Sequence, residues 1–534
     1  LIISGGPHSV CDPGSPQVDP AIFAAGYPVL GICYGQQLMA RVLGGTVRKS
    51  ENGEFGLATL NVLHPGKLFA GIESSQQIWM SHRDSVEALP PGFSAIGATA
   101  TCEVAAIEEP ILGLYGVQFH PEVVHTTQGR RLLANFVFDI CGCVKDWDPK
   151  HRGPTVEDAI RATVRDRNVF FFVSGGVDST VAYTLCRRAL GNERVRGVYV
   201  DTGLMREGET EFVRQMFGDS VEIQSAAEQF LTPLAGVCDP EEKRRIIGEQ
   251  FVRVQERIIE SRHLLDGNWI LGQGTIYPDT IESGGTQKAA LIKTHHNRVP
   301  GIQKLLDRGR VVEPLSSFYK DEVREIGREL GLPGEFLDRH PFPGPGLAIR
   351  CLCSETELPL TRVAEGYVVP IRSVGVQGDS RSYAPVLALD RYSTDLRREA
   401  TELVNRTPGI NRVIARVDSR APLSEMRVRA SGLTPERVER LRRADAAVRT
   451  ISRESGFDNK IWQFPVVLIP LGTEESPDSV VLRPIDSQDG MTAESVEMDD
   501  DILLRITSEL LAMRGVCGAF YDLTNKPPAT IEWE

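Results

Sequence analysis

Short apolar runs that end in a glycine-rich turn and continue into a helical pattern recur through the first 340 residues. Residues 27–30 run into Gly31 in this way, and residues 168–173 run into Ser174. A continuous apolar run suits a strand that is buried on both faces, as happens when helices cover a parallel sheet. The pattern therefore predicts an α/β fold for this part of the chain.

Two breaks divide the 534 residues into three predicted domains. Residues 143–154 are polar, contain two prolines and show no period, which is typical of a linker. Three prolines and two glycines within residues 340–346 exclude both helix and regular strand. We therefore expect a parallel-sheet domain at 1–145, a doubly wound α/β domain at 146–346 and an α+β domain at 347–534.

The third domain contains a weak internal repeat. Residues 408–419 resemble residues 514–525, and each segment follows an amphipathic helical stretch. We therefore expect two copies of a helix-and-strand unit, at about 347–432 and 433–534. The second copy opens with Thr434 before a proline, which predicts the start of a helix.

Composition excludes several classes of protein. Lys and Arg number 59 against 72 Asp and Glu, a net charge of −13, which disfavours binding to nucleic acid. The sequence shows neither an apolar run of about 18 residues nor a basic signal region at residues 1–6. The ten cysteines are spread along the chain without the spacing of a zinc site. We expect a soluble, reduced, cytoplasmic protein.

Cys33 is the candidate nucleophile of the first domain. It lies in a Gly-Ile-Cys-Tyr-Gly segment, residues 31–35, between an apolar strand and a helical run. A strand-to-helix turn exposes a nucleophile at the sheet edge, and the helix N-terminus favours thiolate. The alternative, from the cysteine alone, is an ordinary buried core residue.

His120 and Glu122 supply the partners that such a nucleophile needs. They end a strand pattern at residues 115–122, and residues two apart in an extended segment point the same way. Glu122 could therefore orient the imidazole of His120, which would act as the base. His82 is a rival base, which we interpret as a substrate-side or loop residue.

These two motifs resemble the class I glutamine amidotransferase family over residues 1–140. The resemblance implies that Cys33 attacks the side-chain amide of glutamine, that His120 moves the proton and that Glu122 holds His120. It also implies an oxyanion hole and a glutamine contact, from Gly5, Gly6, Tyr34 and Gln37. The family places a strand and a helix ahead of residues 4–7, so we expect the first domain to be truncated at its N-terminus.

A glycine-rich loop opens the second domain at Ser174, Gly175, Gly176, Val177, Asp178, Ser179 and Thr180. Backbone N–H groups, hydroxyls and a helix N-terminus together predict a phosphate site. The loop lacks the Gly-Lys-Ser/Thr ending that assists γ-phosphoryl transfer, so cleavage elsewhere on a triphosphate is favoured. The alternative is a capped Gly-Gly turn.

This loop resembles that of the ATP pyrophosphatase family. The resemblance implies that the loop binds the β and γ phosphates while an acceptor oxygen attacks the α phosphate. Mg²⁺ would be held mainly through the ATP phosphates, with Asp178 as the candidate protein ligand, and no other metal is expected. Asp201 follows the next strand, where such folds place groups near the nucleoside. Lys293 and Lys320 could neutralise phosphate charge, although a solvated surface lysine is the simpler interpretation.

The order of the domains and three further segments, residues 339–347, 372–379 and 525–534, resemble the long form of the glutamine-hydrolysing GMP synthetase family. The resemblance implies that the C2 oxygen of xanthosine monophosphate (XMP) is adenylated and that ammonia then displaces AMP. The XMP contacts implied by matching motifs are Pro343, Gly344, Asp379, Gln463, Lys526 and Glu532. A duplicated dimerisation domain implies a monomer or a homodimer.

Three alternatives stay open on the sequence. One is a glutamine-dependent amidotransferase that acts on another acceptor, such as a carboxylate. Another is a tRNA-modifying adenylase or binding protein, which the negative net charge disfavours. The third is a scaffold without catalysis, which needs neither an ordered nucleophile and base nor a phosphate loop.

Overall fold

The computed structural model describes residues 1–6, 8–123, 125–145, 152–264, 268–284, 305, 308–376, 381–407, 409–487 and 492–534. Within these ranges no helix is both long enough and apolar enough to cross a membrane. The predicted linker at 143–154 lies partly outside them, and helix α3 begins at Arg152, inside the predicted linker.

The first region folds around one mixed sheet. Its elements are β1 Ile2–Ile3, β2 Val29–Ile32, α1 Tyr34–Val42, β3 Thr46–Val62, β4 Ser75–Ala88, β5 Ser94–Ala98, β6 Ala106–Glu109, β7 Leu114–Val117 and α2 Gly129–Ala134. The strand order is β1-β2-β7-β6-β5-β3-β4. Strands β1, β2 and β7 are parallel, whereas β6, β5, β3 and β4 pair antiparallel. The parallel strands are the part that carries Cys33.

The second region is a parallel sheet covered by helices. Its strands are β8 Asn168–Phe172, β9 Val195–Asp201, β10 Val221–Ser225, β11 Trp269–Gly272 and β12 Val311–Val312. Its helices are α3 Arg152–Val164, α4 Val177–Leu190, α5 Glu209–Phe217, α6 Ala227–Leu234, α7 Pro240–Ser261, α8 Tyr277–Gly284, α9 Lys320–Glu329 and α10 Gly334–Leu337. In the strand order β10-β9-β8-β11-β12, β9 and β10 are added on one side of β8, and β11 and β12 on the other. Doubly wound folds bind ligands at the point where the strand order reverses in this way. The predicted α/β class is confirmed.

The third region holds the remaining elements around a larger mixed sheet. Its strands are β13 Leu358–Pro359, β14 Thr361–Arg362, β15 Tyr367–Val376, β16 Arg381–Leu389, β17 Arg412–Ser419, β18 Arg427–Val428, β19 Val466–Ile469, β20 Leu471–Gly472, β21 Asp478–Leu482, β22 Ile485–Asp486, β23 Glu494–Ser495 and β24 Val516–Asp522. Its helices are α11 Leu396–Arg406, α12 Pro435–Glu454 and α13 Asp500–Ala512. Helix α12 begins as predicted, since the Thr434 hydroxyl accepts from the backbone N–H of Arg437 at 3.2 Å.

The larger sheet of the third region has the strand order β14-β15-β16-β17-β24-β21-β19. Strands β17 and β24, each preceded by a helix, belong to the two predicted copies and pair antiparallel at the centre. Outward from this pair, β16 is parallel to β17 and β21 is parallel to β24. The strands of the two predicted copies therefore lie in one continuous sheet within a single chain.

Candidate active sites

Cys33 lies on a strained turn between β2 and α1. Its φ of 49° is in the left-handed region, although it carries a side chain, and its thiol is buried. Two flanking glycines make this turn possible. A Cβ on Gly31 would come within 2.6 Å of Gly35 backbone atoms, and a Cβ on Gly35 would come within 2.1 Å of the Ile3 carbonyl oxygen. Such strain is typical of a nucleophile held for reaction.

His120 lies between Cys33 and Glu122. His120 Nδ1 is 2.7 Å from Glu122 Oε1, and the Cys33 side chain is close enough to the ring to raise its pKa. Burial lowers the pKa of His120, but the hydrogen bonds and charges of Cys33 and Glu122 outweigh it and raise the pKa to about 10. The sequence pattern predicts that His120 and Glu122 lie along an extended segment. Strand β7 instead ends at Val117, and the two side chains meet across a turn.

Three further groups adjoin the Cys33 side chain, from Gln118, Ser81 and Gly5. Gln118 Nε2 donates to Cys33 Sγ at 3.6 Å, and Sγ lies 3.7 Å from the backbone oxygen of Ser81. A Cβ on Gly5 would come within 2.9 Å of the His120 ring and 3.5 Å of Cys33 Cβ, so the Gly5 backbone adjoins both side chains. Gln37 Nε2 donates to Gln118 Oε1 at 3.2 Å, which holds the Gln118 amide in place beside the thiol.

The remaining residues of the predicted glutamine site lie close by. A Cβ on Gly6 would come within 3.8 Å of the Tyr34 ring, and Tyr34 is the first residue of α1. The Gln37 amide nitrogen also donates to the backbone oxygen of Asp84 at 2.7 Å. The amide nitrogen of Gln37 is therefore engaged, and a direct contact with a substrate would be made by the amide oxygen of Gln37.

His82 differs from the sequence interpretation. It is a buried residue of β4, not a loop residue, and it faces Glu54 on the neighbouring strand β3. Its Nε2 atom is 3.4 Å from Glu54 Oε2. Glu54 is 28 residues before His82 and comes from the opposite strand, so the sequence gives no local sign of this pair.

The glycine-rich loop joins β8 to α4 at the point where the strand order reverses. The Ser174 and Ser179 hydroxyls are 2.8 Å apart, and Ser174 Oγ accepts from the backbone N–H of Gly176 at 3.3 Å. Gly175 has a φ of 76°, which a side chain disfavours. The loop leads directly into α4, whose N-terminus favours negative charge.

The carboxylate of Asp178 is only partly engaged. Its Oδ2 atom pairs with Lys320 Nζ at 3.0 Å, so Lys320 lies at the loop. Its Oδ1 atom is buried and makes no hydrogen bond within the described ranges. Asp201, by contrast, accepts from the Gly203 N–H and the Thr210 hydroxyl at 2.9 and 2.8 Å. Asp201 therefore braces the turn after β9.

Glu532 lies in a polar cluster between the second and third regions. Arg350 donates to its two carboxylate oxygens at 2.9 and 2.7 Å, and Gln463 donates to Oε1 at 3.2 Å. Gln463 also donates to the Pro341 oxygen at 3.0 Å, which links the cluster to the segment that contains Pro343 and Gly344. Burial raises the pKa of Glu532, but the Arg350 charge and hydrogen bonds outweigh it and lower the pKa.

The C-terminal segment is docked and not frayed. Trp533 is buried, and its Nε1–H donates to Asp522 Oδ2 at 3.0 Å. Arg412 and Arg483, both buried, pair with the same carboxylate at 2.6 and 2.8 Å. The backbone of Lys526 pairs with Ala493 through hydrogen bonds of 2.7 and 3.1 Å. Asp379, the other predicted XMP contact, lies outside the described residues.

His125, five residues after His120, joins the first region to the third. His125 Nε2 is 3.2 Å from Glu494 Oε1, and His125 Nδ1 is 3.4 Å from the Thr492 hydroxyl. Thr492 and Glu494 flank Ala493, which pairs with Lys526. A short path of contacts therefore runs from the docked C-terminal segment to the surroundings of His120.

Comparison with known proteins agrees with this arrangement. The family model described as glutamine amidotransferase class-I matches residues 1–140. The NAD synthase model matches residues 154–230, and the model described as GMP synthase C terminal domain matches residues 450–533. A probable glutamine-hydrolysing GMP synthase of Leptospira interrogans is 43% identical over 557 residues, which cover 100% of this chain and 92% of the relative.

The chain belongs to the glutamine-hydrolysing GMP synthase family. A GMP synthase of Parafrankia is 41% identical over 552 residues, with 100% of this chain and 88% of the relative covered. Among solved structures, the ammonia-dependent NAD synthetase of Campylobacter jejuni matches with a TM-score of 0.27 and 17% identity, over 37% of this chain and 80% of that chain.

Several residues of this GMP synthase family member were missed by sequence reasoning. Gln118 and Ser81 contact Cys33, Arg350 holds Glu532, and a Cβ on Gly274 would come within 2.7 Å of the Ser179 nitrogen. For Gly274 a signal was available, since a glycine two residues after a buried strand indicates close backbone approach. The other three depend on contacts between segments that are distant in sequence.

Proposed function

We propose that the chain makes GMP from XMP, ATP and glutamine in two sites. The observation that carries the proposal is the presence, in one chain, of the contacting Cys33, His120 and Glu122 side chains and of the loop at residues 174–180. The first set suits amide hydrolysis, and the second suits phosphate binding.

In the first site Cys33 Sγ attacks the side-chain amide carbon of glutamine. His120 donates a proton to the departing nitrogen, so ammonia leaves and a thioester remains. His120 then takes a proton from the water that hydrolyses the thioester. Glu122 keeps the ring oriented and favours its charged form, which the raised pKa of His120 supports. Backbone N–H groups near Gly5 and Tyr34 would stabilise the oxyanion.

In the second site the C2 oxygen of XMP attacks the α phosphorus of ATP and pyrophosphate leaves. Ammonia then replaces AMP at C2 and gives GMP. The N–H groups of the loop and the N-terminus of α4 would hold the departing phosphates. Lys320 lies close enough to Asp178 to place a positive charge beside them.

Mg²⁺ is the ion that this chemistry implies, and Asp178 fits it. A carboxylate oxygen is a preferred ligand for Mg²⁺, which normally binds through one or two carboxylates together with substrate phosphates. The buried Oδ1 atom of Asp178, without a hydrogen bond in the described part of the chain, is suited to that role. The bound ion would neutralise phosphate charge.

The proposed XMP contacts are supported by the polar cluster around Glu532. Glu532, Gln463 and the segment with Pro343 and Gly344 are joined by hydrogen bonds through Gln463, which supports a common role. Lys526 would pair with the 5′-phosphate as a point charge. Asp201 would act on ATP indirectly, through the turn that it braces.

We also propose that the protein is cytosolic, binds no nucleic acid and acts as a monomer or a homodimer. The net charge of −13 supports the absence of a nucleic-acid partner. The continuous sheet formed by the two copies supports a monomer, because each copy already has its partner within the chain. Light scattering on a sizing column would separate the two states.

The proposal is tested by incubating the protein with XMP and Mg-ATP, in parallel with glutamine and with ammonium, and measuring GMP and AMP. With either nitrogen source, we expect one AMP to form for each GMP. Absence of both products with ammonium would refute XMP as the acceptor. GMP with ammonium alone would leave the second site intact and refute an active glutaminase.

A further inference from the structure

Three side chains that the proposed reaction does not use meet inside the first region. They are Glu54 on β3, His82 on β4 and Cys102 in the loop between β5 and β6. One ligand-type atom from each lies within 4.8 Å of the other two. Glu54 and His82 are directly opposite each other across the β3–β4 pair, so their spacing is fixed by the sheet.

The tautomer of His82 leaves an unusual contact with Glu54. His82 Nδ1 lies 2.9 Å from the backbone oxygen of Asp84, which can only accept, so Nδ1 carries the proton. In neutral imidazole Nε2 then presents a lone pair to Glu54 Oε2 at 3.4 Å. Both atoms are buried and make no hydrogen bond in the described ranges. Two facing acceptors need a proton or a metal ion between them.

The other atoms of the cluster are held as metal ligands usually are. The Thr99 hydroxyl donates to Glu54 Oε1 at 3.3 Å, which leaves Oε2 directed at His82. The Asp84 carbonyl fixes the His82 ring from its far side. Outer hydrogen bonds of this kind orient ligating carboxylates and imidazoles.

Cys102 supplies the third donor. Its side chain is buried, and its Sγ atom is the one that it contributes to the cluster. Metal binding would displace the thiol proton and release it to solvent.

We propose that Glu54 Oε2, His82 Nε2 and Cys102 Sγ form a zinc site. Carboxylate, imidazole and thiolate are the three donor types that Zn²⁺ accepts together, and three protein ligands leave a fourth position for water. A site for Mg²⁺ or Ca²⁺ is disfavoured because those ions prefer oxygen ligands alone. The competing arrangement is a protonated His82 paired with Glu54 beside a neutral Cys102.

The position of this site connects it to the glutaminase. Ser81, next to His82 on β4, places its backbone oxygen 3.7 Å from Cys33 Sγ. A metal ion on His82 would fix the part of β4 that contacts the nucleophile. The zinc site does not depend on the proposed function, because metal binding can be measured without GMP synthesis.

The test uses the full chain with Cys33→Ser, which removes the other buried thiol beside a histidine. Co²⁺ replaces Zn²⁺ as a visible probe, and Zn²⁺ affinity is measured by competition with a chromophoric chelator. We expect one equivalent of Co²⁺ with a thiolate-to-cobalt charge-transfer band. Adding Cys102→Ser should remove the band and weaken Zn²⁺ binding by about tenfold or more.

Two further variants make the result decisive. His82→Gln keeps the thiol and should also weaken Zn²⁺ binding, which covers the case in which Cys102→Ser does not fold. Cys141→Ser, at a half-buried cysteine, is the matched control and should bind like the parent. No charge-transfer band in the parent would overturn the proposal, and so would unchanged Zn²⁺ affinity in folded Cys102→Ser and His82→Gln proteins.

Discussion

The turn at Cys33 and the loop at residues 174–180 have the same place in their sheets but are built differently. Each follows the carboxyl end of a parallel strand and leads into a helix. At the first turn, side chains contact one another directly, and Cys33 is 5% exposed. At the second, the Ser174 and Ser179 hydroxyls bond to each other, and the Asp178 side chain is 26% exposed.

The difference follows from the ligand that each turn has to meet. A covalent nucleophile needs a base and an orienting group in contact before the substrate arrives. A phosphate is bound by N–H groups whose direction depends on backbone shape. Side-chain replacement should therefore be damaging throughout the first turn. At the second turn it should be damaging only where a side chain meets the phosphates or an added Cβ would disturb the backbone.

Asp178→Ala should have the largest effect at the phosphate loop. It removes the only acidic side chain of residues 174–180 and the partner of Lys320. We expect AMP formation to fall by about a hundredfold to a thousandfold with either nitrogen source. Asp178→Asn, which keeps the shape, separates charge from packing. Unchanged AMP release in Asp178→Ala would show that the backbone of residues 174–180 is sufficient to bind the phosphates.

Glu122→Gln tests the first turn in the same way. Loss of the charge beside His120 should reduce glutamine hydrolysis by about a hundredfold and leave ammonium-supported synthesis unchanged. The readout is ammonia release from glutamine. Equal loss of the two activities would mean that the substitution acts through folding and not through His120.

The same variant has a signature in stability against pH. The folded-state pKa of His120, about 10, lies above its ordinary 6.5, so its contacts stabilise the fold fully below pH 6.5 and progressively less towards pH 10. The difference in free energy of unfolding between the parent and Glu122→Gln should therefore shrink as the pH rises through this window. A constant difference in urea unfolding would contradict the raised pKa.

Gly274→Ala should have the smallest effect and isolates backbone shape at the phosphate loop. Its Cβ would press on the Ser179 nitrogen, and relieving such an overlap costs about 1–3 kcal/mol. We expect a higher KM for ATP with unchanged glutamine hydrolysis. Gly334→Ala is the matched control, because its Cβ would meet its nearest atom only at 4.0 Å. A KM equal to that of the control would mean that the loop tolerates displacement.

Both turns could be predicted from the sequence because their signals are local. An apolar run, glycines and a helical period lie within about twenty residues at Cys33 and again at Ser174. The start of α12 at Pro435 was predictable for the same reason, since capping depends on neighbours in the chain. The mixed character of the first sheet was not, because strand direction depends on pairing between distant segments.

The missing parts of each site are long-range contacts. Ser81 reaches Cys33 across 48 residues, and Arg350 reaches Glu532 across 182. Glu54 meets His82 through a register that includes a shift between Lys49 and Glu54 in β3. A single sequence carries no signal for such a register, so the cluster with Cys102 could be found only in three dimensions.

The most direct test of the two-site account is Cys33→Ala, assayed for GMP from XMP and Mg-ATP with glutamine and with ammonium. The account predicts complete loss of glutamine-supported synthesis and full retention of ammonium-supported synthesis. The phosphate loop keeps all its own contacts in this variant, so its chemistry should proceed once ammonia is supplied. Equal loss with both nitrogen sources would contradict the separation of the two sites.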